Sequence, residues 1–291
     1  MQQLADQLDS LREGTLKDNR LVLKGLDGVA VDFNLDPGRK ILYHDQKHEI
    51  AEPYIHYKSI EELTLNRKVV YVNLREAYLP ISLDYPTTCS WKHTPILNLL
   101  QAFESMKIEW ESSEFYGKLQ DLLASVQMTS IVRKTIAFSC GDLIRDSKVY
   151  DRGIFQHLIL LAIWKWFSTR VEGQIATQCY AQDPIYSDQG KEVLAGVGVT
   201  VLNDPKAFLE TDESSVVMSF CSNAPIKQII TDISRPAIII WDKVERSETH
   251  YLCADSVSSR VADMLSKEYL EMEFPYHKHI GKVSMYVRIE G

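Results

Sequence analysis

The sequence has no hydrophobic run long enough to cross a lipid bilayer. Its longest apolar stretch, residues 155–167, contains His157 and Lys165 and is shorter than the roughly 20 apolar residues of a membrane-spanning helix. The first residues carry acidic side chains and a leucine stripe, where a signal peptide has a cationic segment followed by an apolar one. We therefore expect no membrane-spanning helix and no secretion.

Cysteine is scarce and scattered. The chain has 5 cysteines and no C-x-x-C pair, and an odd, dispersed set is typical of reduced thiols. His44 with His48, and His277 with His279, have ligand-like spacing, but a zinc site needs three or four convergent ligands. The sequence therefore predicts a protein of the cytoplasm, the nucleus or both, without a metal site.

A block of basic residues is also missing. The chain carries 32 Lys and Arg against 40 Asp and Glu, a net charge of −8. It therefore lacks the positive charge that supplies most non-specific affinity for nucleic acids and anionic membranes. We expect neither as a partner. What is present is an apolar fraction of 45%, enough to build the core of a globular protein.

The N-terminal third predicts a small α+β region. Leu4, Leu8 and Leu11 are spaced as on one face of a helix. Short β-like runs follow, separated by turn sequences, at residues 21–23, 29–33, 41–43 and 69–74. We expect this extension to comprise residues 1–105 and a second domain to comprise residues 106–291.

From Val132 onward, apolar runs alternate with helical segments. Continuous apolar runs are typical of strands in a parallel sheet whose two faces are covered by helices. Five such runs occur, at residues 135–138, 175–180, 199–202, 216–220 and 238–241. The sequence therefore predicts an α/β fold, a Rossmann-like three-layer sandwich with a mostly parallel sheet. A helix at residues 256–270 and a strand at residues 283–289 are expected to close it.

Polar residues directly follow the predicted strands. Ligands of open α/β sheets bind beyond the carboxyl ends of the strands. Together with His157 on the long helix after the first strand, the residues at these ends are the candidates for a ligand site: Cys140, Gly141, Asp142, Arg145, Asp183, Pro184, Ser222, Asn223 and Asp242.

Half of a cofactor fingerprint is present among these candidates. Gly141 is a single glycine where the dinucleotide fingerprint has three, and Asp183 lies 42 positions beyond it, where about 20 is usual. Asp183 either accepts hydrogen bonds from a ribose or caps the turn that it forms with Pro184. In the first case the cofactor is S-adenosylmethionine or a nucleotide, and Ser222 or Asn223 lines the acceptor side.

The other candidates also have two interpretations. Arg145 is suited to bind a phosphate or carboxylate, or it belongs to a solvated loop. His157 either serves a ligand or is a core histidine bonded to the backbone. Cys140 and Cys221 have no assignable histidine with an orienting carboxylate, so we expect no nucleophilic catalysis and assign no catalytic residue.

The second half of the chain resembles a known family. The similarity rests on residues 110–116 (WESSEFY), 136–142 (IAFSCGD), 156–157 (QH), 183–194 (DPIYSDQGKEVL) and 198–202 (GVTVL). These segments are similar to the SRR-like domain, named for "sensitivity to red light reduced", in its fungal form. The resemblance implies a Rossmann-like fold and a regulatory role, in light signalling and the circadian clock in plants and in stress, microtubule or haem-related regulation in fungi and animals.

The chain also departs from that family. Members usually have a Gly-x-Gly-like turn after the first strand, His-Cys after the fourth and Gly-Asn after the fifth. Here the corresponding residues are Ser-Cys-Gly at 139–141, Cys-Ser-Asn at 221–223 and Trp-Asp at 241–242. Binding residues implied by the resemblance therefore carry over only at Gly141, His157, Asp183 and Pro184.

Three functions remain open on these observations. The preferred one is a regulatory protein that acts through protein partners and has a small-ligand pocket at the carboxyl ends of the strands. The alternative is an enzyme of the S-adenosylmethionine-dependent methyltransferase type, or another nucleotide-binding enzyme. In a third interpretation, the extension before residue 105 is an interaction module and the core is only its scaffold.

Overall fold

The structure, a computed structural model, describes residues 1–34, 40–43, 46–50, 54–65, 78–84, 87–88, 96–128, 130–145, 148–170, 177–244 and 254–289. The chain divides into two compact units, Met1–Lys92 and His93–Gly291, and each is described by itself. The boundary that the sequence predicts after Ser105 lies further along the chain than this division.

The first unit combines short helices with antiparallel strands. Its elements are α1 (Gln2–Arg12), β1 (Arg20–Lys24), β2 (Ala30–Asn34), β3 (Lys40–Tyr43), β4 (Gln46–Ile50), β5 (Tyr54–Tyr57), α2 (Ile60–Leu65), β6 (Ile81–Asp84) and β7 (Thr87–Thr88). The strands pair as β1-β2, β3-β4-β7 and β5-β6. Leu4 and Leu8 of α1 are buried, as their helical spacing predicts. The predicted run at residues 69–74 and His44 lie outside the described residues.

The second unit is an α/β domain. Its elements are α3 (Ile96–Glu111), α4 (Glu114–Ser125), β8 (Lys134–Phe138), β9 (Ile144–Arg145), β10 (Lys148–Val149), α5 (Asp151–Ser168), β11 (Gln178–Gln182), α6 (Asp188–Gly196), β12 (Thr200–Val201), α7 (Lys206–Glu210), β13 (Ser215–Ser219), α8 (Ile226–Ile233), β14 (Ile238–Asp242), α9 (Ser259–Glu268), β15 (Tyr269–Glu273) and β16 (Val283–Arg288).

A seven-stranded sheet forms the centre of this unit, in the order β12-β11-β8-β13-β14-β16-β15. The five strands from β12 to β14 are mutually parallel. Strand β16 is antiparallel to both of its neighbours. The predicted mostly parallel, Rossmann-like sheet is therefore confirmed, and each of the five predicted apolar runs overlaps a strand in it.

Strand β8 is the middle one of the five parallel strands, and the chain leaves it in two directions. It first runs outward through β11 to β12, then returns to the other side of β8 to form β13 and β14. Because parallel crossovers are right-handed, the two directions place their helices on opposite faces of the sheet. The connections after β8 and β13 therefore diverge, and the carboxyl ends of these two strands form the topological switch point at which ligands of open α/β sheets usually bind.

Helix α5 follows β8 and is buried on nearly all sides. Apolar residues occupy every face of its sequence, and the buried ones run continuously from Gly153 to Ile163. A helix without a polar face belongs in the interior of a domain. Helix α5 begins after the short hairpin of β9 and β10, and its first turn lies against the turn that follows β8, so α5 supports the candidate site.

The first turn of α5 approaches that turn very closely at Gly153. A Cβ atom at this position would lie 2.0 Å from the backbone oxygen of Asp142, whereas a Cβ at Gly117, in α4, would meet no atom within 4 Å. We predict that Gly153→Ala lowers the free energy of unfolding by about 1–3 kcal/mol or more, because the backbone of Asp142 or of α5 must move to make room for the new methyl group. The control Gly117→Ala should raise it by about 0.5–1 kcal/mol. Urea denaturation measures both, and equal effects would contradict the close approach.

Candidate functional site

Two strained turns follow strands β8 and β13, where the connections from the two strands diverge. Ser139 follows β8 with a φ of 57°, and Cys221, two residues beyond β13, has a φ of 49°. Residues other than glycine adopt this left-handed backbone conformation at a cost of about 1–3 kcal/mol. Residues strained in this way cluster at functional sites. The hydroxyls of Ser139 and Ser222 lie 2.8 Å apart, so the two turns are in direct contact.

Asp183 and Gly141 are brought together at the neighbouring strand end. The backbone N–H of Gly141 donates to Asp183 Oδ2 at 2.9 Å, and that of Ile185 donates to Oδ1 at 3.1 Å. Burial raises the pKa of Asp183 above its ordinary value, although these two donors oppose the shift. Both carboxylate oxygens are thus engaged by backbone, while Pro184 is exposed.

Asp142 is buried and links three segments. Its Oδ1 accepts from the N–H of Leu143 at 2.8 Å, and its Oδ2 accepts from the N–H of Ser187 at 3.1 Å. Ser187 is the N-cap of α6 and accepts in turn from the N–H of Gly190. A Cβ at Gly190 would lie 2.0 Å from Asp142 Oδ1. The carboxylate therefore positions the start of α6 against the turn after β8.

His157 is fully buried beneath this turn. Its Nδ1 lies 2.6 Å from the carbonyl oxygen of Gly153, and its Nε2 lies 2.7 Å from the hydroxyl of Tyr186. Since a carbonyl only accepts, Nδ1 carries the proton and the Tyr186 hydroxyl donates to Nε2. Burial lowers the pKa of His157 to about 4, so the ring is neutral at physiological pH. Sequence reasoning did not assign Tyr186, although it lies within the Asp-Pro segment that carries the resemblance.

Of the remaining candidates, Arg145 and Asn223 are exposed and Cys140 is buried. Arg145, in the short hairpin formed by β9 and β10, is exposed and lies over the ring of Tyr150 at 5.3 Å. Asn223 is exposed beyond β13. Cys140 is buried, and burial raises the pKa of its thiol well above the ordinary value, which disfavours a nucleophilic thiolate.

A buried ion cluster fixes the turn after β13. The N–H of Cys221 donates to both oxygens of Asp242, at 3.1 and 3.0 Å. Lys227 Nζ lies 3.4 Å from Asp242 and 2.8 Å from Asp255, and the side chains of Lys227 and Asp255 are only 2% and 1% exposed. Burial lowers the pKa of Lys227, but the two carboxylates outweigh it and hold this pKa above its ordinary value. Sequence reasoning assigned neither Lys227 nor Asp255 to the site.

Among the described residues, no helix has the length and apolar character to cross a membrane. Within the same residues, no group of three or more His, Cys, Asp or Glu side chains is placed to hold a metal ion. The described cysteines, Cys140, Cys179 and Cys221, are free thiols.

The sequence profile of the SRR1 domain matches residues 119–287. This segment is more than half of the chain and contains nearly all of the seven-stranded sheet together with each candidate residue named above. No curated protein matches the chain.

Several solved structures resemble the fold at low identity. A Corynebacterium glutamicum protein is 12% identical, with 67% of this chain and 91% of that one covered and a TM-score of 0.39. The N-methyltransferase NodS from Bradyrhizobium japonicum is 6% identical, with 62% and 99% covered and a TM-score of 0.32. A SAM-dependent O-methyltransferase from Thermotoga maritima is 9% identical, with 96% and 97% covered and a TM-score of 0.33. Likeness at these values carries no information on function.

The buried imidazole makes stability depend on pH. His157 has a pKa of about 4 when folded, against 6.5 ordinarily, so below pH 6.5 the unfolded chain binds a proton that the folded one does not. This group alone should lower the free energy of unfolding by up to about 3 kcal/mol as the pH falls through that window. In His157→Asn, whose amide can still donate to Gly153, urea denaturation should show a shallower pH dependence. Parallel curves for the two proteins would refute this account.

The ion cluster yields a second prediction. Lys227→Met leaves the carboxylate of Asp255 buried without a cation and should lower the free energy of unfolding by about 3–5 kcal/mol. Combining it with Asp255→Asn, which keeps an acceptor for the backbone N–H of residue 227, should restore part of that loss. The control Lys267→Met breaks an exposed pair with Asp263 and should change stability by no more than about 0.5 kcal/mol. Urea denaturation measures the free energy of unfolding of all three variants. Equal losses of this free energy in the three proteins would count against a buried ion pair of Lys227 and Asp255.

Proposed function

The chain belongs to the SRR1 domain family, and from this membership we propose that it is a regulatory protein that acts by binding partner proteins. The cytoplasm, the nucleus or both are the proposed location, and the net charge of −8 supports protein rather than nucleic-acid partners. Residues 1–105 form the proposed lineage-specific extension.

One observation carries this proposal: the polar groups expected to hold a cofactor are already bonded within the protein. Asp183 accepts from two backbone N–H groups, and Asp242 accepts from Cys221 and lies against Lys227. The hydroxyl of Ser222 lies against that of Ser139 and accepts from the N–H of Ala224. A ligand would have to displace these bonds, and each exchange returns little net free energy.

S-adenosylmethionine or a dinucleotide therefore fits these residues poorly. Such a ligand needs free backbone N–H groups near a glycine-rich turn and a carboxylate open to a ribose. Here the N–H of Gly141 is donated to the very carboxylate that would hold the ribose. Ser139 stands where the Gly-x-Gly turn has its first glycine. We derive no catalytic step through either cofactor.

The enzyme alternative retains one favourable observation. Ser139 and Cys221 have positive φ in the turns that follow β8 and β13. Backbone strain of this kind accompanies ligand sites in other proteins. A small ligand held between the two turns would make this edge of the sheet a regulatory pocket. It would become an active site only if turnover were found.

Calorimetry distinguishes these functions. The purified protein is titrated with S-adenosylmethionine, NAD and ATP at millimolar concentration, and thermal unfolding is recorded with each, because a ligand specific for the native state raises the midpoint. We expect no saturable heat and no shift, and we expect Asp183→Asn to behave like the unmodified protein. Saturable binding that Asp183→Asn weakens would overturn the proposal in favour of the enzyme.

Partner binding needs its own measurement. Chemical cross-linking in intact cells followed by mass spectrometry should recover a reproducible set of proteins joined to the matched domain. Recovery of no reproducible partner under these conditions would also overturn the proposal.

A further inference from the structure

A groove runs along one face of α5, away from the candidate residues at the strand ends. It consists of two adjoining cavities of about 200 and about 670 Å³ that share Trp110 and Leu158. We call it the α5 groove. Its lining residues belong to α3, α4, α5, the residues adjoining these helices, and the segment 275–279.

The α5 groove is long enough for a segment of polypeptide. Its lining residues on and just beyond α5 extend from Phe155 to Thr169, and at 1.5 Å per residue this distance is about 21 Å. An extended chain advances roughly 3.3 Å per residue. About six residues of a partner therefore fit along it.

Aromatic rings line the groove at every level. Trp110 and Tyr116 have ring centroids 4.8 Å apart at an interplanar angle of 59°. Phe155 stacks on His277 at 3.9 Å, Trp166 lies in the smaller cavity, and Tyr276 is 72% exposed beside the larger one. Grooves lined by aromatic side chains are the usual docking sites of proline-rich segments in the polyproline II conformation.

The walls of the α5 groove are helices and one loop, so a bound segment cannot add a strand to a sheet there. A polyproline II segment has no internal hydrogen bonds and needs no sheet edge. Such a segment therefore suits this groove.

The charge of the groove is opposite in sign to that of the chain. Its walls contain four lysines and three glutamates, a balance of +1, on a chain whose net charge is −8. Of these, Lys118 is paired with Glu114. Lys165 lies in the smaller cavity and Lys278 in the larger one, both exposed. Cations at both ends of the groove complement an acidic ligand.

We propose that the α5 groove binds an extended, acidic, proline-containing segment of a partner protein. The rings hold the prolines, and Lys165 and Lys278 bind its carboxylates. This inference rests on the proposed function, since it names the chemistry of the partner that the regulatory role requires.

Fluorescence anisotropy tests the proposal on the full chain. The probe is a fluorescein-labelled peptide that alternates single glutamates with pairs of prolines. We expect saturable binding that weakens as salt is added. Two control peptides, one with lysine in place of glutamate and one with alanine in place of proline, should each bind at least about tenfold more weakly. Equal binding of all three peptides would overturn the proposed chemistry.

Matched variants locate the binding site. The double change Lys165→Glu and Lys278→Glu should weaken the probe at least about tenfold, whereas Lys267→Glu, on α9, should leave it unchanged. Thermal unfolding of each variant establishes that it is folded.

The outcomes separate this inference from the proposed function. If the probe does not bind, or binds the groove variants as tightly as the unmodified chain, the inference is overturned. The regulatory role still holds in that case provided that cross-linking in cells recovers partners. If S-adenosylmethionine or a nucleotide binds and Asp183→Asn weakens it, the proposed function fails whatever the peptide does.

Discussion

The geometry of the carboxyl edge beside β8 depends on the buried carboxylate of Asp142. A buried charge is tolerated only when it is fully hydrogen-bonded, and here backbone N–H groups of Leu143 and Ser187 provide that bonding. To do so, the start of α6 must lie against the turn after β8. The first turn of α5 also lies close to the backbone of Asp142, so Gly153 and Gly190 are required where a Cβ would collide with this residue. The carboxylate of Asp142 thus positions α6 against the turn after β8, and the backbone of the same residue limits how α5 packs there.

The sheet could be predicted from the sequence because its strands are apolar on both faces. Residues 135–138, 216–220 and 238–241 form continuous runs, and a parallel sheet covered by helices is the structure that buries such runs. Strand β15 could not be predicted in this way. Its residues follow α9 without a break, and Leu270 and Met272 alternate with glutamates over too short a length to distinguish a strand from the end of a helix. The hairpin of β9 and β10 has only two residues per strand, which is below any periodic signal.

Sequence reasoning located the candidate site but not its contacts. The rule that ligand sites lie beyond the strand ends selected Gly141, Asp183 and Ser222 from local sequence alone. Their partners are set by the tertiary fold, and no spacing along the chain encodes them. His157 meets Tyr186, and Lys227 meets Asp255, because α5 and α8 pack beside loops that are distant in sequence. A buried lysine in an otherwise ordinary amphipathic helix has no sequence signal, since lysine is expected on the solvated face.

Where a protein can gain free energy by binding depends on which polar groups its fold has left unsatisfied. At the strand ends, Asp183, Asp242 and Ser222 are bonded within the protein, so a ligand there exchanges one hydrogen bond for another. In the α5 groove, the side chains of Lys165 and Lys278 are exposed, and the carboxylates of a bound segment would pair with them. The aromatic rings of the groove add contact area at low conformational cost, because their side chains have few rotatable bonds. This contrast supports the proposed recognition on the helical face of the domain over chemistry at the edge of its sheet.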